Sequence, residues 1–498
     1  MKFGGSSLES PEAVRRICAI VHSHHHRTPV IVVSAIGKTT DRLAEMAAEA
    51  AKGHGFAARQ LLSQLQDVHF EFASELLDAS RLQTTEQSFR KLFRELYGCI
   101  HDLSQEGCLL TPEISDSILS FGERLSSELI AAALLESGLA AQHVDARAFL
   151  ITDTRFGEAA PHYWETFARI RRAFPLMLRD STPVLGGFIA AAEDGRTTTL
   201  GRGGSDYTAS LIGAALNADE IQIWTDVDGM LTCDPRVYSG GYRLRQISYQ
   251  EASAMAFAGA KVLHPQTVLP AVRQRIPLVI RNSRRPHIPG TRIVPAVAEC
   301  DNPVKGIAVM QNLLLLAIRG GEDANSATTS ATLQDFFNRK NLGAAFVKPH
   351  NGLVYVGFPS TLRLDQIETE LNGCILGCIQ GQALTNYCLI TLIGCGIGGN
   401  RFIADKAAAV CKGISMIDLN GGQPGASLSF AVPQQHCRQA CELLHQEFFS
   451  KVDPDNFAPV PTPRESYQAQ DNSSLIPGMP RAATYVPRKT QTLTPART

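Results

Sequence analysis

Leu200-Gly201-Arg202-Gly203-Gly204-Ser205-Asp206-Tyr207-Thr208 leads into an apolar helix predicted over Tyr207 to Leu216. Its glycines permit turns closed to residues with a Cβ, and Ser205 and Asp206 are residue types that cap a helix. A helix start presents unpaired N–H groups and the positive end of the macrodipole, so an anion is the natural guest in front of it. Arg202 adds a planar fork for a carboxylate or phosphate, and Asp206 a negative charge able to hold a lysine. A glycine-rich turn that only caps a helix uses the same residues, so the reading depends on what surrounds the stretch.

Outward from it the chain alternates strand and helix patterns. Pro29 to Ser34 (PVIVVS) is a short β-branched run, the mark of a buried parallel strand, and Gly37 to Thr40 is the polar loop beyond its carboxyl end. His143 to Leu150, Pro183 to Ala190, Glu220 to Asp226 and Pro277 to Arg281 are further strand-like runs, and Tyr163 to Leu178 is a helix between two of them. Helices are also predicted after Ser10-Pro11, through Asp41 to Gly107 as a helical excursion, after Pro112, and over Ser248 to Val262 with Ser248 and Glu251 as a capping box. The alternation predicts an α/β fold, an open and mostly parallel sheet flanked by helices, with ligands gathered at the carboxyl ends of the strands.

From about Val304 the pattern changes to two β-α-β-β-α units of similar size, an internal repeat of ferredoxin-like α+β type whose sheets can pair across a dimer. From Lys451 the chain turns to Pro, Ser, Thr, Gln and Arg, which predicts a disordered tail. The closely spaced His22, His24, His25 and His26 read as a solvated helix end, and no residue set is assigned to a metal.

Composition narrows the function classes. At 498 residues the chain is too long for one ordinary core. Lysine and arginine number 47 against 48 aspartates and glutamates, so no basic field for nucleic acid is present and local charge must carry any anion binding. The 12 cysteines include no Cys-x-x-Cys pair, which fits a reduced, cytoplasmic protein. No basic-then-apolar leader and no apolar run of about 18 residues is present, which points away from secretion and membrane insertion.

Lys2-Phe3-Gly4-Gly5-Ser6-Ser7, Phe121-Gly122-Glu123, Gly195 to Thr208, Trp224-Thr225-Asp226-Val227-Asp228-Gly229 and Gly259-Ala260-Lys261-Val262-Leu263-His264-Pro265, in that order, resemble the aspartokinases. The C-terminal repeat resembles the tandem regulatory ACT domains of the monofunctional, lysine-sensitive type. The resemblance implies an amino-acid kinase catalytic domain over residues 1–295, an ACT pair over 304–450 and a tail over 451–498. It implies transfer of the ATP γ-phosphate to the β-carboxylate of L-aspartate, with Mg2+, as the first step towards lysine, methionine and threonine. It also implies a homo-oligomer, a dimer or dimer of dimers, with an amino-acid effector at the ACT domains.

Carried onto this chain, Lys2 and Asp206 are the catalytic pair. Thr40, Glu123, Arg202, Gly203, Gly204 and Ser205 hold aspartate. Lys2, Phe3, Gly4, Gly5, Thr225, Asp226, Leu231, Arg236, Lys261 and Val262 hold the nucleotide. Two alternatives stay open at this point: another amino-acid kinase, and a catalytically impaired regulatory subunit.

Two departures from the family pattern set further expectations. Relatives carry several apolar residues before Lys-Phe-Gly-Gly, whereas only Met1 precedes Lys2 here, so a central strand this short is expected to hold Lys2 loosely. In the first ACT repeat, where relatives place Val-Asp and then Thr-Ser-Glu against the effector, this chain reads Ala344-Ala345-Phe346-Val347-Lys348-Pro349-His350-Asn351. The acidic contacts for a lysine effector are missing from it.

Overall fold

The computed structural model describes residues 1–259, 265–297, 300–319, 326–340, 344–350, 352–360, 380–419 and 425–460. Lys261, Val262, the second helix predicted for the first repeat and most of the predicted tail lie outside the described residues.

The N-terminal unit is built on an eight-stranded sheet in the order β10-β12-β11-β8-β1-β2-β5-β3. These strands are β1 (Lys2–Phe3), β2 (Ile31–Val33), β3 (Ala141–Val144), β5 (Thr182–Gly186), β8 (Ile221–Thr225), β10 (Gln246–Ser248), β11 (Leu278–Asn282) and β12 (Thr291–Val294). All neighbours run parallel except β11 with β12, so the predicted open, mostly parallel sheet is present. A three-stranded ribbon of β4 (Ile151–Thr152), β6 (Ile189–Ala192) and β7 (Thr197–Thr199) carries the chain into the glycine-rich stretch.

Helices cover the sheet as the apolar periodicity requires. Ser10 caps α1 (Pro11–Ser23) by accepting from the Ala13 N–H at 3.2 Å. The helical excursion comprises α2 (Thr39–Ala51), α3 (Gly55–Leu76) and α4 (Ala79–Leu103). It is followed by α5 (Pro112–Leu119), α6 (Phe121–Glu136), α7 (Tyr163–Asp180), α8 (Gly204–Leu216), α9 (Tyr249–Phe257) and α10 (Leu269–Arg273). The capping box at Ser248 and Glu251 is present, but α9 ends at Phe257 rather than continuing towards Val262. The strand predicted over His143 to Leu150 stops at Val144, because Asp145 accepts from the Arg147 N–H and starts a 3₁₀ turn over Ala146–Ala148.

The expectation of a loosely held Lys2 does not stand. Although β1 is two residues long, it is paired on both sides, Lys2 with Val32 and with Ile223, and the Met1 amino group donates to the Val30 carbonyl at 2.7 Å. Two neighbouring strands hold the backbone that a longer strand would otherwise hold by length.

The C-terminal unit contains both repeats. The first supplies β13 (Gly306–Arg319), α11 (Ser326–Lys340), β14 (Phe346–His350) and β15 (Leu353–Pro359). The second supplies β16 (Gln380–Ile393), α12 (Arg401–Val410), β17 (Ile417–Asp418), β18 (Ser427–Pro433) and α13 (Cys437–Phe448). Within the chain β13 pairs with β16, so the two repeats share one six-stranded antiparallel sheet, β14-β15-β13-β16-β18-β17.

This unit is fused to the first by a continuous apolar core in which Met230, Cys233, Leu244 and Met255 pack with Ile390, Phe430 and Leu444. Polar contacts reinforce the seam. The Ile307 N–H donates to the Thr232 carbonyl at 2.7 Å, Thr232 Oγ1 is bonded to His445 Nε2 at 2.9 Å, and buried Lys305 faces buried Glu251 at 3.6 Å. The start of the predicted tail is part of the fold, since β19 (Phe457–Pro459) pairs with β9 (Tyr242–Leu244) and Phe457 is buried. Phe457 supplies the apolar anchor that the polar composition around it conceals. Among the described residues no helix is long and apolar enough to cross a membrane.

Candidate active site

The carboxyl end of β1 lies at the centre of the sheet, between β8 and β2, and the site is built around it. The Gly4 N–H donates to the Trp224 carbonyl at 3.1 Å and the Ser34 N–H to the Phe3 carbonyl at 3.1 Å. The ends of the three strands are thereby locked together, with Lys2 projecting from the middle one. A cavity of about 290 Å3 opens here, lined by Lys2, Ser34, Thr40, Glu123, Phe188, Gly201 and the Gly203–Asp206 stretch. The volume suits a small metabolite, not a macromolecule.

The glycine-rich stretch is the wall of this cavity, though in a form the sequence did not dictate. Helix α8 begins at Gly204, three residues earlier than expected, after Gly203 in the left-handed region with φ of 71°, and no side chain caps it. The Gly204 N–H is taken by the Gly201 carbonyl at 3.0 Å, and the next two amides, of the cavity-lining Ser205 and Asp206, have no acceptor within the helix. Asp206 does not cap; it takes the Lys2 ammonium at 2.7 Å. Ser205 does not cap either, and its hydroxyl accepts from Ser34 Oγ at 3.0 Å. The close approach that permits this is set at Gly187, where a Cβ would stand 2.6 Å from the Ser205 Cα. The neighbouring Phe188 adopts a φ of 66°, a conformation held by the Thr208 hydroxyl on its N–H and by its carbonyl accepting from Leu200.

Glu123, in the first turn of α6, is 3 % exposed. Its Oε1 accepts from the Ala35 N–H at 3.1 Å, and its Oε2 is buried with no hydrogen-bond partner among the described residues. Burial pushes its carboxyl up to about 8, opposed by the Ala35 hydrogen bond and the nearby Lys2 charge. A buried carboxylate oxygen with nothing to accept from is a place for a cationic donor of a ligand.

Other predicted residues are placed less centrally. Arg202 is exposed on the loop and does not line the cavity, and among the described residues its guanidinium has no partner. Phe3 is fully buried and its ring stacks on Trp224 at 5.9 Å, so only its backbone can reach a ligand. Thr225 and Asp226 stand at the carboxyl end of β8, beside Gly4, where the Ser283 N–H closes on the Thr225 carbonyl at 2.8 Å. Leu231 and Arg236 lie on the long connection after β8, and the Arg236 guanidinium is occupied by Asp234. Ser34 and Phe188 were not read as site residues. The rule that ligands gather at strand carboxyl ends was enough to find Ser34, whereas Phe188 left no sequence signal.

The model of the Amino acid kinase family matches residues 1–282. Aspartokinase 1, chloroplastic, of Arabidopsis thaliana is 31% identical over 474 residues, covering 91% of this chain and 80% of that protein. Lysine-sensitive aspartokinase 3 of Escherichia coli is 30% identical over 461 residues, covering 90% and 98%. This chain belongs to the aspartokinases of the amino acid kinase family.

The crystal structure of E. coli aspartokinase III in complex with aspartate and ADP, in the R-state, superposes on this aspartokinase with a TM-score of 0.74 at 28% identity, over 90% of this chain and 99% of that one. The T-state complex of the same enzyme with lysine and aspartate gives 0.75. The catalytic unit and the C-terminal sheet of this family member thus share one arrangement with a solved aspartokinase.

Proposed function

We propose that this chain transfers the γ-phosphoryl group of ATP to the β-carboxylate of L-aspartate, giving 4-phospho-L-aspartate and ADP, the first step of lysine, methionine and threonine formation. The observation that carries the reading is the buried, unpartnered Glu123 Oε2 beside the Lys2–Asp206 pair in one cavity. Glu123 takes the α-ammonium of aspartate, Arg202 swings in to fork its α-carboxylate, and Thr40 with Gly203, Gly204 and Ser205 holds the remaining polar edge. Gly4, Gly5 and the backbone of Phe3 border the phosphates, with Thr225, Asp226, Leu231, Arg236, Lys261 and Val262 around the rest of the nucleotide.

The β-carboxylate needs no general base, because its ordinary pKa of about 3.9 leaves it ionised at neutral pH. Catalysis reduces to alignment and charge neutralisation. Lys2, aimed by Asp206, faces the transferring phosphoryl oxygens, and the Ser205 and Asp206 amides at the start of α8 add donors on the same side. Mg2+, when bound with the nucleotide, would supply charge neutralisation on the phosphates. Among the described residues no group of three or more His, Cys, Asp or Glu could hold a metal, so the ion would enter on the nucleotide, as Mg2+ commonly does.

ADP release measured with MgATP and aspartate should show turnover on the order of 1–100 s⁻¹. Glutamate at the same concentration should give a small fraction of it. Absence of aspartate-dependent ADP sinks the reading.

The effector forms part of the same proposal. Lys348 on β14 is largely buried and donates to Ser429 Oγ at 2.7 Å, and burial lowers its pKa to about 8. A cation sits where relatives present an acidic run, so lysine should inhibit weakly. In a titration to millimolar lysine, activity should stay within about twofold of its starting value at ordinary ionic strength. Half-inhibition at micromolar lysine would show that another acidic surface binds it.

A further inference from the structure

Asp116 on α5 is a carboxylate, 1 % exposed, that the proposed reaction leaves unused. Its Oδ2 accepts from the Gly157 N–H at 2.9 Å and from the Thr199 N–H at 2.9 Å, and its Oδ1 accepts from Thr199 Oγ1 at 2.7 Å. Thr199 is the last residue of β7, three positions before Arg202. Gly157 belongs to a loop that closes on the same point, for the Ala159 N–H donates to the Thr199 carbonyl at 2.9 Å. That loop also packs under the glycine-rich stretch, where a Cβ on Gly201 would meet the Gly157 carbonyl at 3.1 Å and Glu158 Cγ at 3.0 Å. On its other side, α5 passes through Ser120 directly into α6, which brings Glu123 seven residues after Asp116.

One buried side chain therefore fastens the strand that leads into the Arg202 loop to the helix that runs on, through Ser120, into the one carrying Glu123. Neither the exposed Arg202 side chain nor the unpartnered Glu123 Oε2 is bonded to the other in the described residues, so their separation is set by what joins their backbones. We propose that Asp116 is a positioning residue that fixes the distance between Glu123 and Arg202, and with it how well the two clasp the α-ammonium and α-carboxylate of the substrate. The inference rests on the assignment of those two groups to the α-ammonium and α-carboxylate of aspartate.

Asp116→Ala removes all three bonds. Asp116→Asn keeps them, its amide oxygen taking both N–H groups and its NH2 donating to Thr199 Oγ1. The alanine variant should raise the KM for aspartate roughly 10- to 100-fold with the KM for ATP changed less than about threefold, since misplacement of about 1 Å costs this much. The asparagine variant should recover most of the loss. Amide exchange across residues 200–206 should quicken about 10-fold or more in the alanine variant and stay near the parent rate in the asparagine one.

A KM for aspartate unchanged in Asp116→Ala, a KM for ATP rising in step with it, or unchanged exchange in that segment would each overturn the proposal. Should Asp116→Ala not fold, Thr199→Val deletes the hydroxyl bond alone and is read by the same KM split and exchange. A parent chain without aspartate-dependent turnover would refute the proposed function, and the exchange measurement would still decide whether Asp116 holds the loop.

Discussion

Replacing Lys2 by alanine is expected to lower kcat about 1,000-fold, equivalent to roughly 4 kcal/mol of transition-state stabilisation, with the fold retained. The ammonium is bound to Asp206 at 2.7 Å, both side chains being largely withdrawn from solvent at 11% and 14% exposure. Charge placed at a water-poor site acts on the phosphoryl oxygens more strongly than the same charge in water. The strand itself depends on backbone pairing with β2 and β8, so circular dichroism and the thermal midpoint should change little. Asp206→Ala should cost a similar factor, because Asp206 acts by aiming Lys2. The double variant should be little worse than either single one, since groups that act as a unit are not additive. Lys2→Arg should not restore activity, because a planar fork on a longer stem cannot occupy the same point. Steady-state kinetics with both substrates saturating reads the result, and near-normal kcat in Lys2→Ala and Asp206→Ala would remove the pair from the mechanism.

That pair was named through the family resemblance, and each partner carried a local signal: a lysine against two glycines, and an aspartate at a glycine-rich helix start. The parallel sheet was legible for a similar reason, its strands being short β-branched runs bounded by polar loops. What could not be read is what depends on through-space contact. Asp206 was read both as a possible cap and as a charge able to hold a lysine, and it is the fold that decides between them by bringing up an ammonium from β1, more than 200 residues earlier in the chain. The strength of β1 lies in its two neighbours, information absent from its own two residues. Asp116 looks like any polar residue of an amphipathic helix, and only the fold brings Thr199 and Gly157 to it. The β19 strand was hidden by the same limitation, one buried Phe457 being invisible in a polar stretch.

The second large effect concerns Glu123 and carries a pH signature. With its carboxyl pushed up to about 8 by burial, the free site is mostly protonated at pH 7, whereas pairing with an ammonium requires the carboxylate. With Glu123 as the proposed acceptor of the substrate ammonium, aspartate binding is expected to expel a proton. Calorimetry at pH 7 in buffers of different ionisation enthalpy should report close to one proton released, and the KM for aspartate should rise up to about tenfold for each pH unit below 8. Glu123→Gln, which offers an amide in place of the charge, should raise that KM on the order of 100-fold, release no proton and flatten the pH profile. Stability moves with the opposite sign. A carboxyl raised from 4.5 to about 8 on folding binds its proton more tightly in the folded state, so its contribution is complete below pH 4.5 and is lost progressively as pH rises to about 8. The thermal midpoint of the parent should therefore fall relative to Glu123→Gln between pH 5 and 8 and run parallel to it above. A parent whose KM for aspartate is flat from pH 6 to 8.5 would mean that Glu123 does not receive the substrate ammonium. The orphaned oxygen would then need another donor.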